Sequence, residues 1–432
     1  MCEQATIFFA CHIFFHHFCI QNKSTMKRYI KITCAIAVAA AISLFVKSRW
    51  NAWFGNIPEE PYTAAEAPDR IILTPGEQFM SQRTVSWRCG DTLEPSFLTL
   101  TADGDSVTLQ AVGTVVESRG GRDAFYRVSL DSLQAGKEYS YSVSTAGKRS
   151  AAYSFTMPQA DLPRRQFIFF GDVQDGFGGP SGKWFAKLYR KFPDADFWAC
   201  AGDLVERPID AYWNYFYSTA DSILTTMPLI TATGNHDYLK SLYPSIDPRW
   251  RHTFVYPGNG AETAMGISYY IDLPDLRIMV VDTHGINDCI TLTARYRWLR
   301  KCLKEAGDKW KVVMYHHPAY SVRKSRNNLQ IRNTFVPLLE KYGVHLVLQG
   351  HEHGYMRNIG TRGDHPVYIV SYMSPKSYPA RPESPEFKVI GNTPMYHTID
   401  YDNFKMEFRS YAVENDSLVD HVGISRLMTD SF

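Results

Sequence analysis

Five clusters of acidic, amide and imidazole side chains punctuate the chain: Gly171-Asp172, Gly202-Asp203, Gly234-Asn235-His236-Asp237, His316-His317-Pro318 and Gly350-His351-Glu352-His353. Carboxylates, amide oxygens and imidazoles are the donors that hard and borderline metal ions take. Brought together, Asp, Asp, Asn and three His suffice for two ions sharing one carboxylate. A bridging carboxylate holds such a pair ~3.5–4 Å apart in two-metal hydrolases. No Ser or Cys lies in a Gly-x-Ser-x-Gly context, so nothing calls for a covalent nucleophile.

Any one of these clusters alone reads as an ordinary turn, since Gly, Asn and Asp all favour turns. Their setting changes that reading. Each follows a short apolar run, at 167–170, 197–201, 229–233, 311–315 and 344–349, that reads as a buried strand. Parallel strands collect their C-terminal ends on one sheet edge, where open α/β folds bind ligands. Gly before Asp172 and before Asp203 permits the sharp exit that turns each carboxylate over that edge. Neighbouring residues on an extended chain point to opposite faces, so only one of His316 and His317 should reach the metals. His316 is the expected one, with His317 as the alternative. His351 and His353, two apart, can face the same side and serve neighbouring ions, while Glu352 points away. His236 could face either the metals or a substrate.

Between these clusters, helix-like segments at 183–191, 209–226, 291–306 and 328–342 alternate with the strands. This α/β alternation implies a large central sheet over 165–425. Residues 69–158 read differently, with period-2 segments at 84–88, 106–109, 124–130, 138–143 and 152–156 separated by turns such as Asp103-Gly104. That pattern predicts a small all-β sandwich that packs and positions but carries no chemistry. A Pro-rich linker is expected over 51–68, with Pro58, Pro61 and Pro68.

At 432 residues the chain has room for two or three domains. Its net charge of +2 gives no polybasic footprint, so no nucleic-acid partner is expected. The eight cysteines include no C-x-x-C pair and read as free thiols, although Cys289 and Cys302 would be the pair to consider in an exported protein. Residues 26–50 start with Met26, Lys27, Arg28 and Lys31 and continue into an apolar run to Val46, the shape of an export signal. As a helix the run spans ~22 Å, against a hydrocarbon core of ~30 Å. Lys47, Arg49, Trp50, Trp53 and Phe54 follow like an interfacial belt, so a cleaved signal and a membrane anchor through 30–54 are both expected readings. Either places the rest in the periplasm, at the cell envelope or outside the cell. Residues 1–25, with His12, His16 and His17, read as an upstream extension.

Taken in order, Asp172, Gly202-Asp203, Gly234-Asn235-His236-Asp237, the run ending at His316 and Gly350-His351-Glu352-His353 resemble the motifs of the calcineurin-like metallophosphoesterases. With the preceding β domain, which is similar to a fibronectin type III-like fold, the whole resembles a purple acid phosphatase-like protein over roughly residues 68–425. The resemblance implies a four-layer α/β (α+β) catalytic sandwich behind the β domain and two divalent or trivalent ions, with Fe, Zn or Mn expected. It implies Asp172, Asp203 and His353 on the first ion, and Asp203, Asn235, His316 and His351 on the second. It also implies hydrolysis of phosphate monoesters by a metal-bound hydroxide, with His236 stabilising the phosphate. A small-molecule phosphoester is then the expected partner. A phosphodiesterase acting on nucleotides or lipid head groups is the alternative within the class, and a non-catalytic envelope adhesion protein the alternative outside it. The match departs at two places. Purple enzymes carry a metal-bound Tyr three residues after the second Asp, where this chain has Glu206; Tyr212 and Tyr215 are out of register. The family's second catalytic His has no counterpart, and Arg323, Lys324 and Arg326 occupy its region, with Arg326 the expected phosphate-binding residue.

Overall fold

The computed structural model describes residues 3–220, 222–323, 326, 328–359, 366–381, 384 and 387–426, with side chains from residue 27 onward. Lys324 and the side chains of His12, His16 and His17 lie outside the described residues. Residues Glu3–Phe54 form one helix. Within it, Lys27–Phe54 is long and apolar enough to cross a membrane, by length and composition. The helix runs into the segment expected as linker and through the interfacial Trp residues.

Residues from 57 onward, apart from Lys240–Leu242, form a separate compact unit that holds both the β domain and the catalytic sheets. Two antiparallel sheets build the β domain. One runs in the order Asp69–Pro75, Arg83–Arg88, Arg122–Leu130, Val112–Glu117, and the other centres on Ser96–Ala102 and Glu138–Thr145. Alternation along Glu138–Thr145 buries Tyr139, Tyr141 and Val143 against Leu73, Val85 and Trp87 of the facing sheet, the period-2 logic of a sandwich core.

The catalytic region has two sheets where the sequence implied one. In the first, Arg165–Phe170, Trp198–Cys200 and Leu229–Thr231 run parallel, and Met395–Tyr401, Lys405–Ala412 and Leu418–Ser425 continue the sheet antiparallel. In the second, Leu276–Val280, Trp310–Met314, Leu346–Gln349 and Val367–Val370 run parallel, flanked by Tyr269–Asp272, Tyr355–Ile359 and Lys388–Ile390. A single apolar cluster containing Phe167–Phe170-side residues and Val312, Val313 and Leu346 joins them. Strands buried on both faces read as continuous apolar runs, so the residue pattern does not say which sheet a strand joins. The helices Ser181–Lys191, Cys289–Glu305 and Leu329–Lys341 fall where expected, and 209–226 divides into Asp210–Ala220 and Ile223–Thr226.

Buried charge ties the β domain to the catalytic sheets. Arg88 reaches Asp69, Asp123 and Asp210, and Arg70 reaches Asp210 at 2.5 Å, all buried except the partly exposed Asp69. The Pro-rich connector is strapped down rather than free: buried Glu59 pairs with Arg249 at 2.5 Å, and the Tyr62 hydroxyl donates to Asp123. Cys34, Cys89, Cys200, Cys289 and Cys302 are free thiols, Cys302 buried and Cys289 exposed, so the 289–302 pair does not form.

Candidate metal centre

Strand ends from both sheets meet at one point. Asp172, Asp203 and Asn235 leave the parallel strands of the first sheet, and His316 and His351 leave those of the second. His316 is fully buried, its Nε2 3.3 Å from Asp203 Oδ2 and 3.2 Å from Asn235 Oδ1, its Nδ1 3.5 Å from Asp172 Oδ1. His351 Nδ1 lies 3.2 Å from His316 Nε2. Ligand atoms of Asp203, His316 and His351 all fall within 4.8 Å of one another, as a shared ion requires.

Backbone geometry aims these groups. A Cβ on Gly171 would collide with the Ser371 carbonyl, so only Gly lets the two sheets approach there. Gly202 has φ +98, and Asp203, His351 and His353 themselves have φ of 55, 74 and 46. Non-Gly residues in the left-handed region store strain of ~1–3 kcal/mol each, a cost that clusters at functional sites. Asp237, fully buried, accepts from the Gly234 and Asp203 backbone N–H groups and so staples the Asn235 loop to Asp203. The Asp172 carboxylate accepts the His351 N–H at 2.9 Å, and Asp203 Oδ1 accepts the His236 N–H at 2.8 Å.

The electrostatics are those of a buried cluster of acids and imidazoles. Burial, together with Asp203, raises the Asp172 carboxyl to about 7 and Asp237 to about 8. Burial would depress His316, but the Asp203 and Asp172 carboxylates lift it to about 9. Burial works against Asp203 as well, yet His316 and His236 hold it well below the carboxylate range. Burial keeps His353 neutral down to about 4 and depresses His351 and His317. Asp172 Oδ2 and Gln174 Oε1 are buried with no hydrogen-bond partner. Orphaned oxygens beside neutral imidazoles and a low-lying carboxylate fit divalent cations.

The remaining expected residues are placed as follows. His353 lies at the edge of the cluster, its Nδ1 2.8 Å from the Lys376 carbonyl and its Nε2 3.2 Å from Gln174 Nε2. His317 is bonded through Nδ1 to Thr283 and stacked on His284, and its ring centroid lies 4.5 Å from that of His351, so it packs against the cluster without joining it. Glu352 pairs with Arg323 at 3.0 Å. Arg326 lies against His351 Nε2 rather than apart from the ligands. Glu206 points out of the cluster, to Arg207 and Lys376 at 3.5 Å each, and its carbonyl bonds His236 Nδ1. Tyr212 stacks on Phe177, and the Tyr215 hydroxyl donates to the Gly179 carbonyl, so neither supplies the phenolate. Sequence reasoning passed over Gln174, Arg207 and Lys376. Gln174 had one signal, its position two residues beyond Asp172 on the same strand exit.

Comparison with known proteins matches residues 68–157 to the purple acid phosphatase N-terminal domain and 165–355 to the calcineurin-like phosphoesterase family. The two domains follow one another in the order of a purple acid phosphatase. The chain is a purple acid phosphatase-like member of the calcineurin-like phosphoesterases. Membership implies metal ions as cofactors. Among curated relatives, the probable purple acid phosphatase 20 of Arabidopsis thaliana is 23% identical over 224 residues, 48% of this chain and 49% of its own. An uncharacterized protein of Mycobacterium tuberculosis is 26% identical over 336 residues, 67% of this chain and 61% of its own. The chain spans 31% to 61% of the lengths of the curated relatives it matches first. The structure of a purple acid phosphatase from yellow lupin (Lupinus luteus) seeds superposes with TM-score 0.71 at 19% identity, covering 84% of this chain and 75% of the lupin chain. That likeness shows the fold: a β domain followed by the α/β phosphoesterase layers.

Proposed function

We propose that this phosphoesterase-family chain is an exported, binuclear metal-dependent hydrolase of phosphate monoesters. The observation that carries the reading is the convergence of Asp172, Asp203, Asn235, His316 and His351 from two sheets, with His353 at the edge. Asp172, Asp203 and His353 would hold one ion and Asp203, Asn235, His316 and His351 the other. Ions bound there supply Lewis acidity and water activation at neutral pH or below. Asp203, whose Oδ2 lies 3.3 Å from both His316 Nε2 and Gln174 Nε2, would be the carboxylate shared by the two ions.

The protein's own groups complete the chemistry. His236 Nδ1–H donates to the Glu206 carbonyl at 2.6 Å, the shorter of its two contacts, with Arg207 Nη1 at 3.0 Å. The mobile proton of His236 is therefore on Nε2, the nitrogen available to a phosphate oxygen or a leaving alkoxide. Arg207, Lys376 and Arg326 stand round the centre with side chains 40%, 41% and 42% exposed. Three half-exposed cations favour the dianion of a monoester over the single charge of a diester. For location, Lys27–Phe54 would act as an export signal or membrane anchor.

Hydrolysis of a chromogenic phosphomonoester, set beside a diester panel, tests this. Wild-type protein should cleave the monoester, and Asp203→Asn and His351→Ala should lose both activity and bound metal. Wild-type rates in both variants, or faster diester than monoester cleavage, would refute the assignment.

A further inference from the structure

We propose that the loop Lys240–Leu242 is a second membrane contact, seated in the lipid headgroup layer beside the end of the N-terminal helix. The proposal rests on Lys27–Phe54 acting as a retained anchor and extends that reading to a segment far away in the sequence.

The end of the helix has the composition of an interface. Counted from Lys31, the ~20 residues that cross a ~30 Å hydrocarbon core bring the helix to about Trp50. Trp50 and Trp53 are exposed there and both touch the ring of Phe54, at 4.9 and 6.3 Å between centroids. Aromatic rings settle at the level of the headgroups. Lys47 and Arg49, just before them, have stems long enough to carry their charges to the same layer.

The loop is tied to this level by three hydrogen bonds. Lys240–Leu242 groups with the helix rather than with the remainder of the chain. The Asn56 side-chain amide donates to the Lys240 carbonyl at 2.8 Å, and the Lys240 N–H donates to Asn56 Oδ1 at 2.9 Å. The Lys240 ammonium donates to the Ala52 carbonyl at 3.1 Å. Ala52 lies in the last turn of the helix, whose carbonyls have no partner within it. A lysine from a distant loop therefore caps the helix just past its membrane-spanning length, with the sign of charge that a helix C-terminus favours.

Leu242, two residues on, is 74% exposed, and Tyr243 after it is exposed as well. Two residues of extended chain reach ~7 Å, about the depth of the headgroup layer on one side of a bilayer. Leu242 thus stays in or against that layer whichever way the loop turns. One exposed Leu is ordinary on a protein surface. This one is distinguished by its tether to the end of an apolar helix and by its neighbours. Lysine supplies a cation for lipid phosphate, leucine an apolar group for the acyl boundary, and tyrosine an amphipathic ring. Lys240 comes three residues after Asp237, whose carboxylate staples the Asn235 loop. Seating the loop in lipid therefore fixes the far end of the segment that carries Asn235 and His236.

The test uses the full chain reconstituted in vesicles of phosphatidylcholine and phosphatidylglycerol, with the photoreactive residue p-benzoylphenylalanine placed at one position at a time. Leu44, exposed on the helix, reports the anchor; Leu93 and Phe404, exposed elsewhere, serve as references. After irradiation, mass spectrometry counts lipid adducts at each position. Position 242 should form them at least ~10-fold more often than positions 93 and 404, approaching the level at 44. Adducts at 44 with position 242 no higher than the two references, or with a second copy of the chain captured at 242 in place of lipid, overturn the proposal alone. No lipid adduct at 44 overturns the anchor reading beneath it.

Discussion

Removing the metal ions should make the protein's stability fall steeply between pH 7 and pH 9. In the metal-free chain His316 sits at about 9, Asp237 at about 8 and Asp172 at about 7. All three lie above their unfolded values, so over this range the folded chain holds protons that the unfolded chain has released. The sign follows from linkage. Such groups contribute stability that is full below the unfolded pKa and lost as pH rises through the folded one. Between pH 7 and 9 the loss is ~2 kcal/mol from His316, ~1 from Asp237 and under ~0.5 from Asp172, or ~3–4 in all. With ions bound, His316 and Asp172 carry no proton at either pH, and only the Asp237 contribution of ~1 kcal/mol persists. Urea midpoints measured at both pH values, with and without chelator, give the comparison. The difference between the two forms reports the centre together with the Cys200 thiol, which Asp172 and Asp237 help to raise. A chelated protein as stable at pH 9 as at pH 7, or an identical pH dependence with and without metal, would refute the reasoning.

Three further outcomes follow from single contacts. Asp210→Ala leaves the Arg70 guanidinium, with 2% exposure, without its carboxylate, while Arg88 keeps Asp69 and Asp123. The expected cost is ~3–5 kcal/mol by thermal or urea unfolding, and Arg70→Met with Asp210→Leu together should recover most of it. Gly171→Ala drives a methyl into the Ser371 backbone and should lower both metal content and stability, the latter by ~1–3 kcal/mol, measured by elemental analysis and unfolding. Glu206→Gln should retain full metal content, because Glu206 faces Arg207 and Lys376, and the iron-loaded wild-type protein should show no tyrosinate charge-transfer band in its visible spectrum.

The sequence carried the parts of this site that depend on strand ends. Asp172, Asp203 and Asn235 were legible because Gly followed by a polar residue breaks an apolar run, and alternation on an extended strand picked His316 over His317. In the structure His316 is buried among Asp172, Asp203 and Asn235, and His317 bonds Thr283 with its ring against His351. What the pattern could not carry was partner choice. Runs such as 167–170 and 311–315 are apolar on both faces, so nothing in them says that they belong to different sheets. The left-handed backbone at Asp203, His351 and His353 has no signature in residue type either, because tertiary contacts impose it. Arg207 and Lys376 were hidden for a third reason. They sit on loops whose spacing follows no period: Arg207 adjoins Glu206 in the chain, but only the fold sets it against His236 and brings Lys376 to Glu206.

The central claim, two ions astride Asp203, is tested most directly by anomalous diffraction from crystals grown with Mn2+ or Zn2+. The account predicts two anomalous peaks ~3.5–4 Å apart, one on each side of the Asp203 carboxylate. The first should be bounded by Asp172 and His353, the second by Asn235, His316 and His351. A single peak, or peaks away from Asp203, would contradict it.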